Sequence, residues 1–329
     1  MGTRADQSTW LIERGGKPSG YLDLMAVCPP PARGLAQYWF NRSLPFTAGE
    51  NWTAGDRIRE PHFCGPFIGA SLILNRGDDL ELVAAQQDGS LAHFQHSGIH
   101  GWRGPVFLPG SAAGPPAFIR SRFGNGNYEV IAPRPGGGLS HFWRDNTHGE
   151  AWREAAQPSN AGSWSGVGLI HSRFGNLEVA GVRDGRLVFL WQNGEGGRWS
   201  VPQPIPPAVQ VVGRPAFLES SYGNRGSFEV IVARAGGLLA HLWRNNDAAN
   251  FPWAQARVFG ADRRGRTRTF DDVTAIQTSS GRLEVAARLA GSGVIEHFRA
   301  TLGAPWEGPG RALVMRREQE QTGGLAVMA

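Results

Sequence analysis

Lysine is almost missing from this chain: Lys17 is the single one, so a formal charge of +5 and a pI near 9.8 rest on arginine. Most of those arginines stand singly beside acids. One dense run, Arg263, Arg264, Arg266 and Arg268, is closed by Asp271 and Asp272 and has no interleaved aromatics, the pattern of a solvated loop rather than a nucleic-acid groove. Cysteine is scarce as well. Cys28 and Cys64 follow no metal-ligand spacing and read as buried thiols. No run approaches ~18 apolar residues, which excludes a membrane-spanning helix. The opening MGTRADQSTW lacks the apolar core of a secretory signal, which makes the cytoplasm the default location and leaves leaderless release open. A sustained 3.6-residue apolar period is also missing, so helices should be few.

The usual constellations of enzymes are lacking too. There is no Gly-x-Ser-x-Gly elbow and no phosphate-cradling glycine loop before a helix. The carboxylate pairs Asp78–Asp79 and Asp271–Asp272 fall in loops. His93, His96 and His100 look like metal ligands at first, but spacings of three and four across a strand and its loop give no common face. No catalytic residue, metal or cofactor is therefore assigned.

What the chain does hold is apolar matter and turns. Hydrophobic residues make up 41 % and charged residues 19 %, enough for a packed core. Gly 46 and Pro 22 punctuate it often, and Trp 12 is unusually high.

The tryptophans mark a repeat. Residues 117–152 read AFIRSRFGNGNYEVIAPRPGGGLSHFWRDNTHGEAW, and residues 216–253 read AFLESSYGNRGSFEVIVARAGGLLAHLWRNNDAANFPW. Each has an apolar strand, an aromatic-Gly-Asn turn, a Glu-Val strand, a Gly-rich turn, a His-x-Trp-Arg strand and a closing Trp. Weaker copies carry an acid at Asp23, Glu81, Glu178 and Glu284, then Tyr38, His93, Phe189 and His297 on the third strand. The closing residues Trp52, Trp102, Trp152, Trp199, Trp253 and Trp306 lie 50, 50, 47, 54 and 53 apart.

Each repeat predicts four short antiparallel strands, with Asp184-Gly185 as a hairpin signal. Repeated round an axis, such units form an all-β propeller, in which Phe118, Val130 and Phe142 would fill the wedge between blades. The whole chain, 1–329, reads as one propeller domain of six full repeats plus a C-terminal half repeat, 311–329. In that half, Leu313–Met315 resembles a first strand and Gly324–Met328 a second. Seven blades are favoured, the last incomplete, with six blades and a closing strap as the alternative.

The run FGNGNYEVIAPRPGGGLSHFWRDN closely resembles the repeat of the Photorhabdus-type bacterial lectins. That resemblance implies a seven-bladed propeller lectin that binds fucose-like or O-methylated sugars at several sites and forms oligomers. Glycans or glycoconjugates are then the partners. The alternatives are a propeller enzyme with one axial-channel site for a small molecule, and a protein-interaction platform.

A sugar needs a flat aromatic surface and a few fixed donors and acceptors. The strand tails Trp143, Arg144, Asn146 and Trp243, Arg244, Asn246 offer both, with Trp191-Gln192-Asn193 and Trp39 with Asn41 as weaker copies. Glu129 with His141, and Glu229 with His241, sit beside them as binding pairs or as structural pairs within each blade. Their recurrence favours the structural role. The closing tryptophans read as core between blades.

Overall fold

The computed structural model describes residues 6–14, 21–28, 34–42, 46, 52–58, 66–75, 79–147, 149, 151–206, 209–310 and 313–315. Their strands follow the repeat. Leu11–Arg14 (β1), Tyr21–Val27 (β2), Leu35–Asn41 (β3) and Trp52–Ile58 (β4) form one sheet. Phe67–Leu74 (β5), Leu80–Gln86 (β6), Leu91–Ser97 (β7) and Gly101–Phe107 (β8) form the next. Ala117–Arg120 (β9), Tyr128–Pro133 (β10), Leu139–Arg144 (β11) and Arg153–Glu154 (β12) make a third. A fourth holds Trp164–His171 (β13), Leu177–Arg183 (β14), Arg186–Gln192 (β15) and Gln203–Pro204 (β16).

The remaining strands share one sheet of eight. Val211–Ser220 (β17), Ser227–Arg234 (β18), Leu239–Asn245 (β19) and Trp253–Phe259 (β20) form one half. Phe270–Gln277 (β21), Leu283–Leu289 (β22), Val294–Ala300 (β23) and Leu313–Val314 (β24) form the other. The halves are antiparallel within themselves and joined by a single parallel pairing of β17 with β21, at Arg214 and Asp272.

Burial falls from axis to rim. Strand β10 is buried along its whole length, while β8 and β20 at the edge are largely exposed. This is why inner strands are apolar on both faces and outer ones are short or mixed. At the β14–β15 hairpin, Asp184 and Gly185 take φ of 52° and 72°, the two left-handed positions that the dipeptide promised. Phe118, Val130 and Phe142 are fully buried and share one cluster with Ile73, Val83 and Leu108 of the preceding sheet, filling the wedge as expected.

The axis is filled. Residues 6–10 cross it: Ser8 N–H donates to Leu169 O at 2.7 Å, Leu72 N–H to Thr9 O at 2.6 Å, and the Thr9 and Thr274 hydroxyls lie 2.6 Å apart. Arg214 reaches in beside them. Its Nε and Nη2 each donate to Asp272 at 2.9 Å, and Nη1 donates to the carbonyls of Ala70 at 2.7 Å and Pro116 at 3.3 Å. A Cβ at Gly166 would stand 2.6 Å from the Arg214 Cα, so only glycine lets β13 approach this closely. The cavity left beside Arg214, Asp272 and Arg288 measures about 10 Å³, at the lower limit for one water.

These strands correct the expected count. Neither seven blades nor six describes the sheets: four separate four-stranded blades and one eight-stranded sheet account for the described residues. The reason is at the axis, where β17 and β21 come close enough to bond and merge two repeats into one sheet. Among the described residues of the C-terminal piece, the strand formed is an outer one. Leu313 and Val314 pair with β23 as its outer strand, and Leu313 and Met315 pack with Trp10, Leu24 and Phe46. Gly324–Met328 lie outside the described residues. The ends of the ring meet directly, with His297 edge-on to Phe40 at 4.7 Å and to Trp52 at 5.9 Å.

Replacing Arg214 by Met should cost about 3–5 kcal/mol, because Asp272 would remain buried without its partner. Urea unfolding midpoints measure this, and a loss below about 1 kcal/mol would contradict the hub role of Arg214.

Candidate functional site

In each antiparallel sheet, residues directly opposite share a face, as do residues two apart on one strand. Glu129 lies opposite Trp143 and Ile131 opposite His141, so Glu129, Trp143 and His141 share one face of their sheet. The same register sets Glu229 opposite Trp243 and Ile231 opposite His241. That face turns toward the following sheet, as the packing of Ile119, Ile131 and Leu139 on Val167 and Leu169 records.

The acids are held in a common way. The Nε2 of His93, His141, His241 and His297 lies 2.7–2.8 Å from Glu81, Glu129, Glu229 and Glu284 respectively. Ser121, Ser172 and Ser220 donate their hydroxyls to Glu129, Glu178 and Glu229 at 3.1, 2.9 and 2.8 Å. The closing Trp of the next repeat then covers the imidazole edge-on: Trp152 on His93, Trp199 on His141 and Trp306 on His241, at 5.5, 5.7 and 5.5 Å.

Register corrects one sequence assignment. Met25 pairs with Gln37, so Gln37 and not Tyr38 takes the histidine position of the first repeat. Tyr38 packs in the opposite face with Trp10 and Phe40.

Two acids lack a histidine on their own sheet, Asp23 and Glu178: Asp23 pairs with Arg14 of its own sheet at 2.7 Å, and Glu178 faces Arg244 of the next sheet. Both sit high for carboxylates. Burial raises Asp23 to about 6, with Arg14, Gln37 and His96 opposing the shift. Burial raises Glu178 to about 7, opposed first by Arg244 and then by Ser172 and Asn176. In strand register His96 and Arg244 are equivalent: Leu80 pairs with His96, and Phe228 with Arg244.

Two clefts open where neighbouring sheets part. The first, about 570 Å³, lies between the β13–β16 sheet and the β17–β20 half. Glu178 and Arg244 face it from opposite sides, and Phe174, Trp191, Phe251 and Trp253 wall it. The second, about 510 Å³, lies between the two halves of the large sheet, lined by Glu229, His241, Trp243, Asn245, Arg257 and Trp306 among others. Here Ala300, paired with Leu283, stands where the first cleft has Arg244. Trp306 is held flat against Phe259, with ring centres 4.1 Å apart and planes 6° from parallel.

The sequence-assigned residues divide accordingly. Trp243, Glu229 and His241 meet in the second cleft, and Arg244 belongs to the first. Asn246 is wholly buried and accepts the Arg244 Nε–H at 2.8 Å, so it positions the arginine. In the third sheet, Asn146 donates to Gly126 O at 2.7 Å, Arg144 lies over Tyr128 at 5.7 Å and Trp143 carries Arg153 over its ring at 5.7 Å. His141 and Glu129 are buried beneath Trp199.

Sequence reasoning missed Phe174, Phe189, Phe251 and Glu178, and assigned Trp253 and Trp306 to the core alone. The available signal was the break in the pattern, Phe for His at 189 and Ala for Arg at 300.

The other candidates disperse. His93 is on Glu81, His96 meets Trp102 at 5.0 Å with the rings tilted by 57°, and His100 is exposed. Among the described residues no cluster of His, Cys, Asp and Glu is arranged to hold a metal. Within the arginine run, Arg266 pairs with Asp262 at 2.6 Å and Arg268 reaches Glu296 at 3.7 Å, while Asp271 and Asp272 serve Arg288 and Arg214 instead. Cys28 is half-buried against the core around Trp10, and Cys64 lies outside the described residues. No helix among the described residues is long and apolar enough to cross a membrane.

Glu178 gives a pH test. Its native pKa lies above the ordinary value of 4.5, so the native state favours the protonated form. Its contribution to stability is full below about pH 4.5 and is lost as pH rises through about 7. Glu178→Gln should therefore stabilise the protein by about 1–3 kcal/mol near pH 8 and by much less near pH 5. Equal unfolding midpoint shifts at both pH values would contradict it.

No family model matches the chain, and no curated protein matches it in sequence. Solved structures match it in fold. An N224Q mutant of the Aleuria aurantia lectin, in complex with alpha-methyl-L-fucoside, superposes with a TM-score of 0.67 at 13 % identity, over 97 % of this chain and 99 % of that one. The BP39L lectin from Burkholderia pseudomallei gives 0.61 at 19 %, over 95 % and 85 %. The NanB sialidase from Streptococcus pneumoniae gives 0.60 at 10 %, over 88 % and 66 %. The likeness to seven-bladed Photorhabdus-type lectins is thereby overturned, because the motif that suggested it encodes the Glu–His hairpin within a blade and says nothing of ring size. At these identities the comparisons establish the fold: this chain is an all-β propeller similar to the Aleuria and Burkholderia lectins.

Proposed function

We propose that the protein binds carbohydrate, fucose-like sugars in the first place, in the clefts between neighbouring sheets. The observation that carries this reading is the second cleft. Trp243 and Trp306 offer flat apolar surface there, and Glu229, His241, Asn245 and Arg257 line the same cavity with acceptors and donors. A pyranose has one C–H face and a rim of hydroxyls, and this combination suits it. Its volume of about 510 Å³ falls within the range of small-ligand sites. Two of the similar structures support the reading, since one is a lectin in complex with a methyl fucoside and another is a lectin by name.

The axial alternative has little room, with about 10 Å³ beside Arg214. One monosaccharide buries little surface, so each cleft should bind near the millimolar range, about −4 kcal/mol. Useful affinity for a glycosylated surface then comes from several clefts on one rigid ring, and oligomers of the ring would multiply it.

Titration with methyl α-L-fucoside, followed by calorimetry, tests the reading. Trp306→Ala should weaken binding about tenfold or more while Trp306→Phe retains most of it. If the parent binds no sugar on a broad glycan array, the carbohydrate reading is wrong. If Trp306→Ala binds as the parent does, the second cleft is not the site.

A further inference from the structure

The first cleft has a chemistry the second lacks. Arg244 is almost wholly buried at 8 % exposure, with its guanidinium carbon 3.8 Å over Phe228 and 5.1–5.9 Å from the rings of Phe189, Phe251, Phe174 and Trp253. Its Nε is fixed by the buried Asn246. Among the described residues its two terminal nitrogens have no hydrogen-bond acceptor, and no carboxylate comes within ion-pair distance of them. A desolvated guanidinium therefore presents two adjacent N–H groups to an open cavity.

Two acids share its field. Glu178 faces the same cavity, held by Ser172, and Glu219 on β17 is taken up by the backbone N–H of Arg173 at 3.0 and 3.2 Å. Burial lowers Arg244 to about 10, which leaves it charged at neutral pH, and raises Glu178 to about 7, where it holds its proton half of the time. Glu178 and Arg244 are the charged residues of the lining, so with Glu178 half protonated the lining carries a partial positive charge at neutral pH, while Glu219 is not part of it and has Arg173 at 3.8 Å.

From this geometry we infer that the first cleft is a carboxylate site that takes an acidic sugar, a hexuronic acid or a related sugar acid. The inference rests on the carbohydrate reading of the clefts and names a different ligand class for this one. The sugar carboxylate takes two parallel N–H bonds from the Arg244 fork, the pairing guanidinium favours. Its other lone pairs accept the proton held by Glu178, and the pyranose C–H face lies on Trp191, Phe251 or Trp253. A neutral sugar would leave the buried cation uncompensated and, because its hydroxyls both donate and accept, would make no demand on the protonation state of Glu178. Only the acidic sugar therefore ties binding to proton uptake.

Calorimetry of the full chain with methyl β-D-glucuronide and methyl β-D-glucoside, in buffers of differing ionisation enthalpy, separates them. The glucuronide should bind about tenfold tighter or more, with net proton uptake, and should tighten as pH falls from about 8 to about 6.5. Arg244→Gln should abolish the preference. Because that change also removes the cation the aromatic rings surround, Glu178→Gln serves as a second variant. As a mimic of the protonated acid it should retain glucuronide binding and remove its pH dependence. Equal binding of the two glycosides, proton release, or an unchanged preference in Arg244→Gln would overturn the inference. Loss of glucuronide binding in a folded Glu178→Gln would do the same. Should methyl α-L-fucoside bind while the glucuronide does not, this inference fails and the carbohydrate reading stands. Binding of neither defeats both.

Discussion

The guanidinium of Arg214 lies where the inner strands converge, and the rest of the architecture depends on how it is satisfied. It gives a bidentate pair to Asp272 and hydrogen bonds to the carbonyls of Ala70 and Pro116, so one side chain ties β17 to strands of three other sheets or sheet halves. A buried charge is costly unless it is paired and hydrogen-bonded, and this one is so held only when the strands stand in their native places. The pairing also draws β17 and β21 into one sheet and leaves residues 6–10 to close the remaining space. Among the described residues, the clefts with room for a ligand lie farther out, where the sheets splay.

There a second constraint takes over. Each sheet places a buried acid toward its successor, and a buried carboxylate needs a donor or a cation nearby. Histidine on the same sheet answers that need for Glu81, Glu129, Glu229 and Glu284. Where the histidine gives way to Gln37, Arg14 of the same sheet pairs with Asp23, and where it gives way to Phe189, Arg244 of the next sheet faces Glu178. The repeats have thus diverged by exchanging one electrostatic solution for another. In the first cleft the exchange leaves an open space between Glu178 and Arg244. In the second, Ala300 removes the arginine, and Trp243 and Trp306 remain with an acid already paired to His241.

Much of this was legible in the residues. The four strands of each repeat, the Asp184-Gly185 hairpin, the wedge of Phe118, Val130 and Phe142 and the Glu–His pairing all follow from local pattern, and local pattern is what a repeat records. Ring size was not legible, because it depends on how closely inner strands approach the axis. That is decided by single side chains such as Arg214, which no local repeat pattern announces. The site was half legible. Trp243, Arg244, Glu229 and His241 line the two clefts, but the tail asparagines turned out to support backbone and arginine, and which face each side chain serves emerged only from the register. The closing tryptophans read as core because a residue can pack on a histidine and wall a cleft at once, as Trp306 does.

A crystal structure of the protein soaked with methyl α-L-fucoside and methyl β-D-glucuronide tests whether ligands bind between sheets while the axis stays closed. Sugar density is expected against Trp243 and Trp306 in one cleft and beside Arg244 in the other, with Arg214 and residues 6–10 unmoved. Density on the axis, with Arg214 displaced from Asp272 and both clefts empty, would contradict it.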